Sequence, residues 1–155
     1  LQIVLDWSQF DSTLYAVAQA IEQLPEVAIR SVEMGHDVAS HAYRWVDYHD
    51  FGIEKERDWI KKAIHSIKNV TGEAPKGWYY GRGSPQSRTL IPQVYDELGE
   101  ELVWASDSYA DDIPYWIDRA DEKDNANPKG CLIVPYSYDC NDFKYVSFKL
   151  RGLLA

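Results

Sequence analysis

The sequence predicts an α/β fold of mostly parallel strands, a layer or a barrel, on three observations. Short runs rich in β-branched and aromatic residues alternate with stretches of helical periodicity, which is the pattern of βα units packing helices outside a parallel sheet. Apolar residues make up 45% of the chain, and 6 Trp with 11 Tyr add packing material, so the chain carries a core and is not a disordered segment. Its 155 residues suit one domain, since a chain of this size buries roughly two thirds of its unfolded surface.

The elements follow in order. Leu1, Val4 and Leu5 recur at helical spacing and lead to Phe10; residues 12–17 (STLYAV) then read as a buried strand. Pro25 opens a helix, where its missing N–H costs nothing, and Val27, Ala28, Val32 and Met34 carry it to a cap at Gly35. Residues 37–40 form the second strand. An aromatic, charged loop over 41–52 precedes an amphipathic helix over 53–70, with Trp59, Ala63, Ile64 and Ile67 on one face and Lys61, Lys62 and Lys68 elsewhere. Residues 76–80 give a third strand, and a short helix over 90–98 starts near Ser87 and is capped by Gly99. Residues 102–105 and 131–136 give strands four and five.

Charge and composition exclude several partners. A formal net charge of -9 repels phosphate backbones, so neither nucleic acid nor an anionic membrane surface is expected to bind. The acidic cluster of Asp111, Asp112, Asp118, Asp121, Glu122 and Asp124 reads as a solvated face. The longest apolar runs fall far short of the roughly 20 residues of a membrane span. No basic start with an apolar stretch and cleavage site is visible, so the expected location is cytoplasmic. Cys131 and Cys140, too few for a disulfide scaffold, are expected to be free thiols.

In parallel α/β folds the chemistry gathers in loops at the carboxyl ends of strands, and four such loops stand out. The run Gly35-His36-Asp37-Val38-Ala39-Ser40-His41 places His41 at the end of strand two, followed by Tyr43, Arg44 and Trp45. After strand three comes Gly81-Arg82-Gly83-Ser84-Pro85. A guanidinium there can orient a carboxylate base or donate to developing negative charge; the bland reading is a Gly/Pro turn with a solvated Arg. After strand four, Asp107 could pair with Arg82 or cap a turn. Tyr109, Tyr115 and Trp116 offer flat faces to a ring or serve as packing lids. At the end of strand five stand Pro135-Tyr136-Ser137-Tyr138-Asp139-Cys140-Asn141-Asp142.

These strings resemble the polysaccharide deacetylase (NodB-like, carbohydrate esterase family 4) superfamily. Metal-dependent members carry Gly-His-x-x-x-x-His-x-x-x-His where this chain has His36, His41 and Trp45. The run His41-Ala42-Tyr43-Arg44-Trp45 is closer to the allantoinase-like branch, which has an aromatic at the last position. The resemblance covers about residues 12–145; the tail 146–155 diverges, and the chain begins in the helix after the family's first strand. It implies a single, incomplete domain over 1–155 with a partial or distorted (β/α) barrel. It also implies hydrolysis of non-peptide C–N amide bonds, of a ureide or an N-acetylated glycan, with weak or no turnover by this chain alone. His41, Arg82 and Asp107 are the candidate catalytic residues, and Tyr43, Trp45, Ser84, Tyr109, Tyr115, Trp116 and Tyr136 the candidate substrate contacts. Trp45 removes one metal ligand, and His36, offset by five along an extended strand, points to the other face. His41 and His49 alone remain, so no zinc or other cofactor is expected. Two other readings stand beside this one: a lectin-like carbohydrate-binding protein without hydrolysis, and self-association through an open sheet edge.

Overall fold

The computed structural model describes residues 11–106, 109–119 and 129–137. The helix expected before residue 10, Asp107, Cys140 and the tail 146–155 lie outside these residues. The elements are β1 (Thr13–Ala16), α1 (Ala18–Gln23), α2 (Pro25–Glu33), β2 (Asp37–Ser40), α3 (Ile53–Thr71), β3 (Gly77–Tyr79), α4 (Ser87–Leu98), β4 (Trp104–Ser106), β5 (Tyr115–Ile117) and β6 (Cys131–Ile133). They build one open six-stranded sheet in the order β1-β2-β3-β4-β6-β5. Every pairing is parallel except β5 with β6. The α/β class with mostly parallel strands is thus the observed one. None of the described helices is long and apolar enough to cross a membrane.

Register explains where the core sits. Ala16, Ser40, Trp78, Ala105 and Ile133 are paired neighbours across five strands, and each is at most 3% exposed. Because side chains alternate along a strand, this row forms the covered face of the sheet. Helix α3 packs here with Ile60, Ala63, Ile64 and Ile67 buried, each large aliphatic side chain stabilising the fold by roughly 1.5–3 kcal/mol. Acidic Glu54 and Glu56 lie in its first turn and Lys68 in its last, complementing the helix dipole. Helix α4 adds Leu90, Ile91, Val94 and Tyr95, and the Tyr95 hydroxyl donates to the Pro75 carbonyl at 2.7 Å.

The opposite face is more open. Tyr15 touches Tyr79 at 5.2 Å and Trp104 at 6.0 Å between ring centroids. Trp104 lies over Gly77 so closely that a Cβ there would sit 2.1 Å from its ring.

Three sequence expectations change. The strand over 12–17 is not buried: it is an edge strand in which only Ala16 is fully covered. Helix α1 was not foreseen, because six residues are too few to show a period and Pro25 supplies the stronger start signal. The segment containing Tyr115 and Trp116 is no strand-end loop; it is the antiparallel edge strand β5, with Tyr115 opposite Ile133 and Trp116 opposite Leu132.

Candidate active site

A cleft of about 710 Å³ opens at the carboxyl ends of β2 and β3, lined by Tyr15, His41, Trp45, Asp47, His49, Tyr79, Gly81, Arg82, Gly83 and Tyr136. That volume lies within the range of roughly 300–1,000 Å³ typical of small-molecule sites.

His41 is aimed by a strained turn. Its backbone N–H still follows the sheet, donating to Ala16 O at 2.8 Å, but the next residue, Ala42, has φ of 62°, an uncommon left-handed conformation for a residue with a Cβ. The turn is held from three sides: Ala42 N–H donates to the buried Ser40 Oγ at 3.2 Å, and the carbonyls of Ala42 and Tyr43 accept from Ala18 and Gln19 at 3.0 and 2.9 Å. The imidazole then meets Tyr79 edge-on at 4.7 Å and Trp45 at 6.5 Å. Burial, and to a lesser degree the Arg82 guanidinium, push its pKa below the usual 6.5, against the pull of its own backbone hydrogen bond. At neutral pH His41 is a neutral imidazole, able to accept a proton.

Arg82 is carried on the turn after β3. Its guanidinium stacks over Trp45, 4.9 Å from the ring centroid, a cation–π contact that keeps the charge at the cleft rim. The approach depends on Gly81, with φ of 39° and an imaginary Cβ only 2.6 Å from the Tyr79 ring and 2.9 Å from His41 Cε1. The Arg82 carbonyl accepts from Tyr48 N–H at 3.1 Å. Tyr48 in turn brackets Arg44, its hydroxyl accepting from the Arg44 N–H at 3.2 Å and donating to the Arg44 carbonyl at 2.9 Å. Burial pushes that hydroxyl above its usual pKa of 10.0. The loops carrying His41 and Arg82 are therefore tied to each other.

The structure brings His41, Trp45, Arg82 and Tyr136 together in the cleft, with Tyr109 edge-on to Tyr136 at 5.9 Å. It places four expected substrate contacts elsewhere. Tyr43 is 6% exposed, its ring against Trp59 and its hydroxyl donating to Glu22 at 3.1 Å; the turn at Ala42 sends it into the core while His41 faces the cleft. Ser84 is buried beneath the Arg82 turn, where its hydroxyl donates to Glu56. Trp116 lines a separate hollow with Asp96, Lys129 and Gly130 at the amino ends of β4 and β6. Tyr115 is half-buried within β5 and does not line the cleft. His36 sits at the amino end of β2, away from His41. Tyr15, Asp47 and Tyr79 in the cleft were missed; the period-2 alternation of β1 and β3 could have shown that Tyr15 and Tyr79 face away from the helices.

Residues 3–103 match the family model described as Polysaccharide deacetylase. The chain belongs to the polysaccharide deacetylase family. A Schizosaccharomyces pombe protein assigned by name to the polysaccharide deacetylases is 42% identical over 137 residues, 86% of this chain and 43% of that protein. Among solved structures, an allantoinase is 36% identical with a TM-score of 0.71, over 86% of this chain and 41% of the other. A Pseudomonas aeruginosa PAO1 structure assigned by name to the polysaccharide deacetylases is also 36% identical, with a TM-score of 0.73, over 89% of this chain and 43% of the other. The chain thus spans less than half the length of these relatives. Its open, mostly parallel sheet is consistent with part of the barrel of this deacetylase family.

The described residues do not fit the metal of the family's metal-dependent members. No three His, Cys, Asp or Glu side chains among them converge as a metal site. At position 45 an indole carries a stacked guanidinium instead of offering a ligand nitrogen.

Proposed function

We propose that this chain contributes the His41–Arg82 side of an active site that hydrolyses a non-peptide C–N amide bond. The observation that carries the reading is the shared cleft: a neutral imidazole and a guanidinium face one hollow at the carboxyl ends of parallel strands, where α/β enzymes assemble their chemistry. In such a hydrolysis water adds to the carbonyl carbon, a tetrahedral oxyanion forms, and the C–N bond breaks as nitrogen takes up a proton. In this reading His41 takes the proton from water and returns it to nitrogen, and Arg82 donates N–H groups to the oxyanion. Trp45 and Tyr136, with Tyr15 and Tyr79, supply flat faces for the substrate. Trp45 in place of a metal-binding histidine favours a ureide of the allantoin type over an N-acetylated glycan. The test incubates the chain with allantoin and, separately, with N-acetylglucosamine oligomers, and measures allantoate or acetate. Release that disappears in His41→Ala and Arg82→Gln supports the proposal, as does calorimetric binding of allantoin that both substitutions abolish where turnover by this chain alone is too weak to read; neither release nor binding, or release indifferent to both substitutions, rejects it.

A second reading, carbohydrate binding without hydrolysis, is favoured by the exposed rim aromatics Trp45 and Tyr109, 66% and 57% exposed. Calorimetric binding of the same oligomers without acetate release, weakened by Trp45→Ala, selects it.

A further inference from the structure

The geometry points to Glu56 as a positioning residue that fixes the Arg82 turn in the cleft through Ser84 and Ser87. Glu56 belongs to α3 and touches nothing in the cleft, yet only 2% of its surface is exposed. No cation among the described residues is paired with it. Its carboxylate is met by two hydroxyls: Ser84 Oγ lies 2.5 Å from one oxygen, and Ser87 Oγ donates to the other. Ser84 Oγ is also 2.8 Å from Gln86 Oε1; with one proton to give, it favours the carboxylate, the stronger acceptor. Ser87 Oγ then accepts the Ser84 backbone N–H at 2.7 Å. Helix α4 begins at Ser87 with no capping side chain of its own, so the carboxylate also lies at the favourable, positive end of that helix.

The network joins α3, α4 and the turn that carries Arg82. Gly83 permits the contact, since a Cβ there would sit 2.8 Å from Ser87 Oγ. One residue earlier, the Arg82 carbonyl is tied to Tyr48 N–H, and Tyr48 itself packs on α3 through Trp59. Removing the carboxylate leaves the buried Ser87 hydroxyl without its acceptor and Ser84 with Gln86 Oε1 alone, a costly state that the turn relieves by lifting toward solvent. Arg82 would rise with it, away from His41 and off Trp45. The functional part of this assignment rests on the reading of Arg82 as a substrate-facing group; the structural part does not.

The test compares Glu56→Leu and Glu56→Gln by amide hydrogen exchange and by NMR titration of the His41 imidazole, so no turnover is required. The Tyr48 amide reports docking of the Arg82 turn, and the Ile64 amide within α3 reports general stability. In Glu56→Leu, Tyr48 exchange is expected to accelerate about tenfold or more beyond any change at Ile64. The His41 titration midpoint rises as the guanidinium withdraws. Glu56→Gln, which keeps an acceptor oxygen, recovers part of both effects. Should Glu56→Leu fail to fold, Ser84→Ala and Ser87→Ala each remove one hydroxyl and are expected to show the same split, smaller in size. Equal acceleration at Tyr48 and Ile64 with an unmoved His41 titration overturns the proposal, because it is what a purely structural buried acid would give. A displaced turn in a protein that neither binds nor hydrolyses either substrate upholds the positioning role and counts against the hydrolase reading alone.

Discussion

Replacing Gly81 with alanine tests the cleft at its tightest point. Two costs add. A residue with a Cβ in the left-handed region, where Gly81 has φ of 39°, loses roughly 1–2 kcal/mol. The added methyl also lands 2.6 Å from the Tyr79 ring and 2.9 Å from His41 Cε1, and overpacking of this kind costs about 1–3 kcal/mol. The sum, roughly 2–5 kcal/mol, is a large part of the 5–15 kcal/mol that typically holds a domain together. Gly99 provides the control: its φ is 68°, and nothing lies within 4 Å of its imaginary Cβ, so Gly99→Ala should incur the backbone cost alone, about 1–2 kcal/mol. Urea unfolding of the two variants, read with the His41 imidazole titration, separates the terms. Gly81→Ala should be the less stable of the pair and should shift the His41 midpoint; Gly99→Ala should leave that midpoint in place. Equal destabilisation, or an unmoved His41 in Gly81→Ala, would refute the close packing of the turn against the imidazole.

Other consequences follow from the same geometry. Ala42→Gly removes left-handed strain while loosening the unfolded chain, so stability should stay within about 1 kcal/mol of the original, whereas Ala42→Val should lose more than that; denaturant midpoints decide. Tyr95→Phe leaves the Pro75 carbonyl without its 2.7 Å partner and should cost about 1–3 kcal/mol, seen as a lower midpoint with an unchanged slope in urea. His41 has a depressed folded pKa, so its contribution to stability is present above the unfolded value of 6.5 and is lost as pH falls through the folded one. Arg82→Gln should raise the midpoint, by less than burial lowers it, and a fall on imidazole NMR would contradict the cation's role. Partial burial opposes ionisation of Asp96, yet hydrogen bonds from Arg119 and Lys129 outweigh it and hold its pKa below 3.8. That pair's stabilisation is present above pH 3.8 and fades at more acid pH. It is modest, because Asp96 is solvent-screened, and Asp96→Asn should flatten the acid limb of a thermal unfolding series.

The sequence was most legible where one local signal decided the outcome. Pro25 and Gly99 fix helix ends by backbone chemistry alone, and the apolar stripe of Trp59, Ala63, Ile64 and Ile67 can be satisfied only by a buried helix face. His41 and Arg82 were readable because each ends a strand whose own pattern was clear. What escaped notice depends on neighbours distant in the chain. Tyr43 looked like a cleft residue until the turn at Ala42 reversed it, and nothing in an alanine announces a left-handed φ. Glu56 gives no sign of its role in the sequence, because its hydroxyl partners lie 28 and 31 positions away. Strand β5 hid behind aromatic side chains that suit a lid as well as an edge strand, and its antiparallel partner comes later in the chain.

The hydrogen bond from the Tyr48 amide to the Arg82 carbonyl, together with the guanidinium stacked on Trp45, makes the two walls of the cleft mechanically one piece. A ligand gripping only the guanidinium would also quiet the segment that bears the imidazole, although it never touches that ring. Fragments too small to bridge the hollow should therefore still help a second fragment settle on the far side.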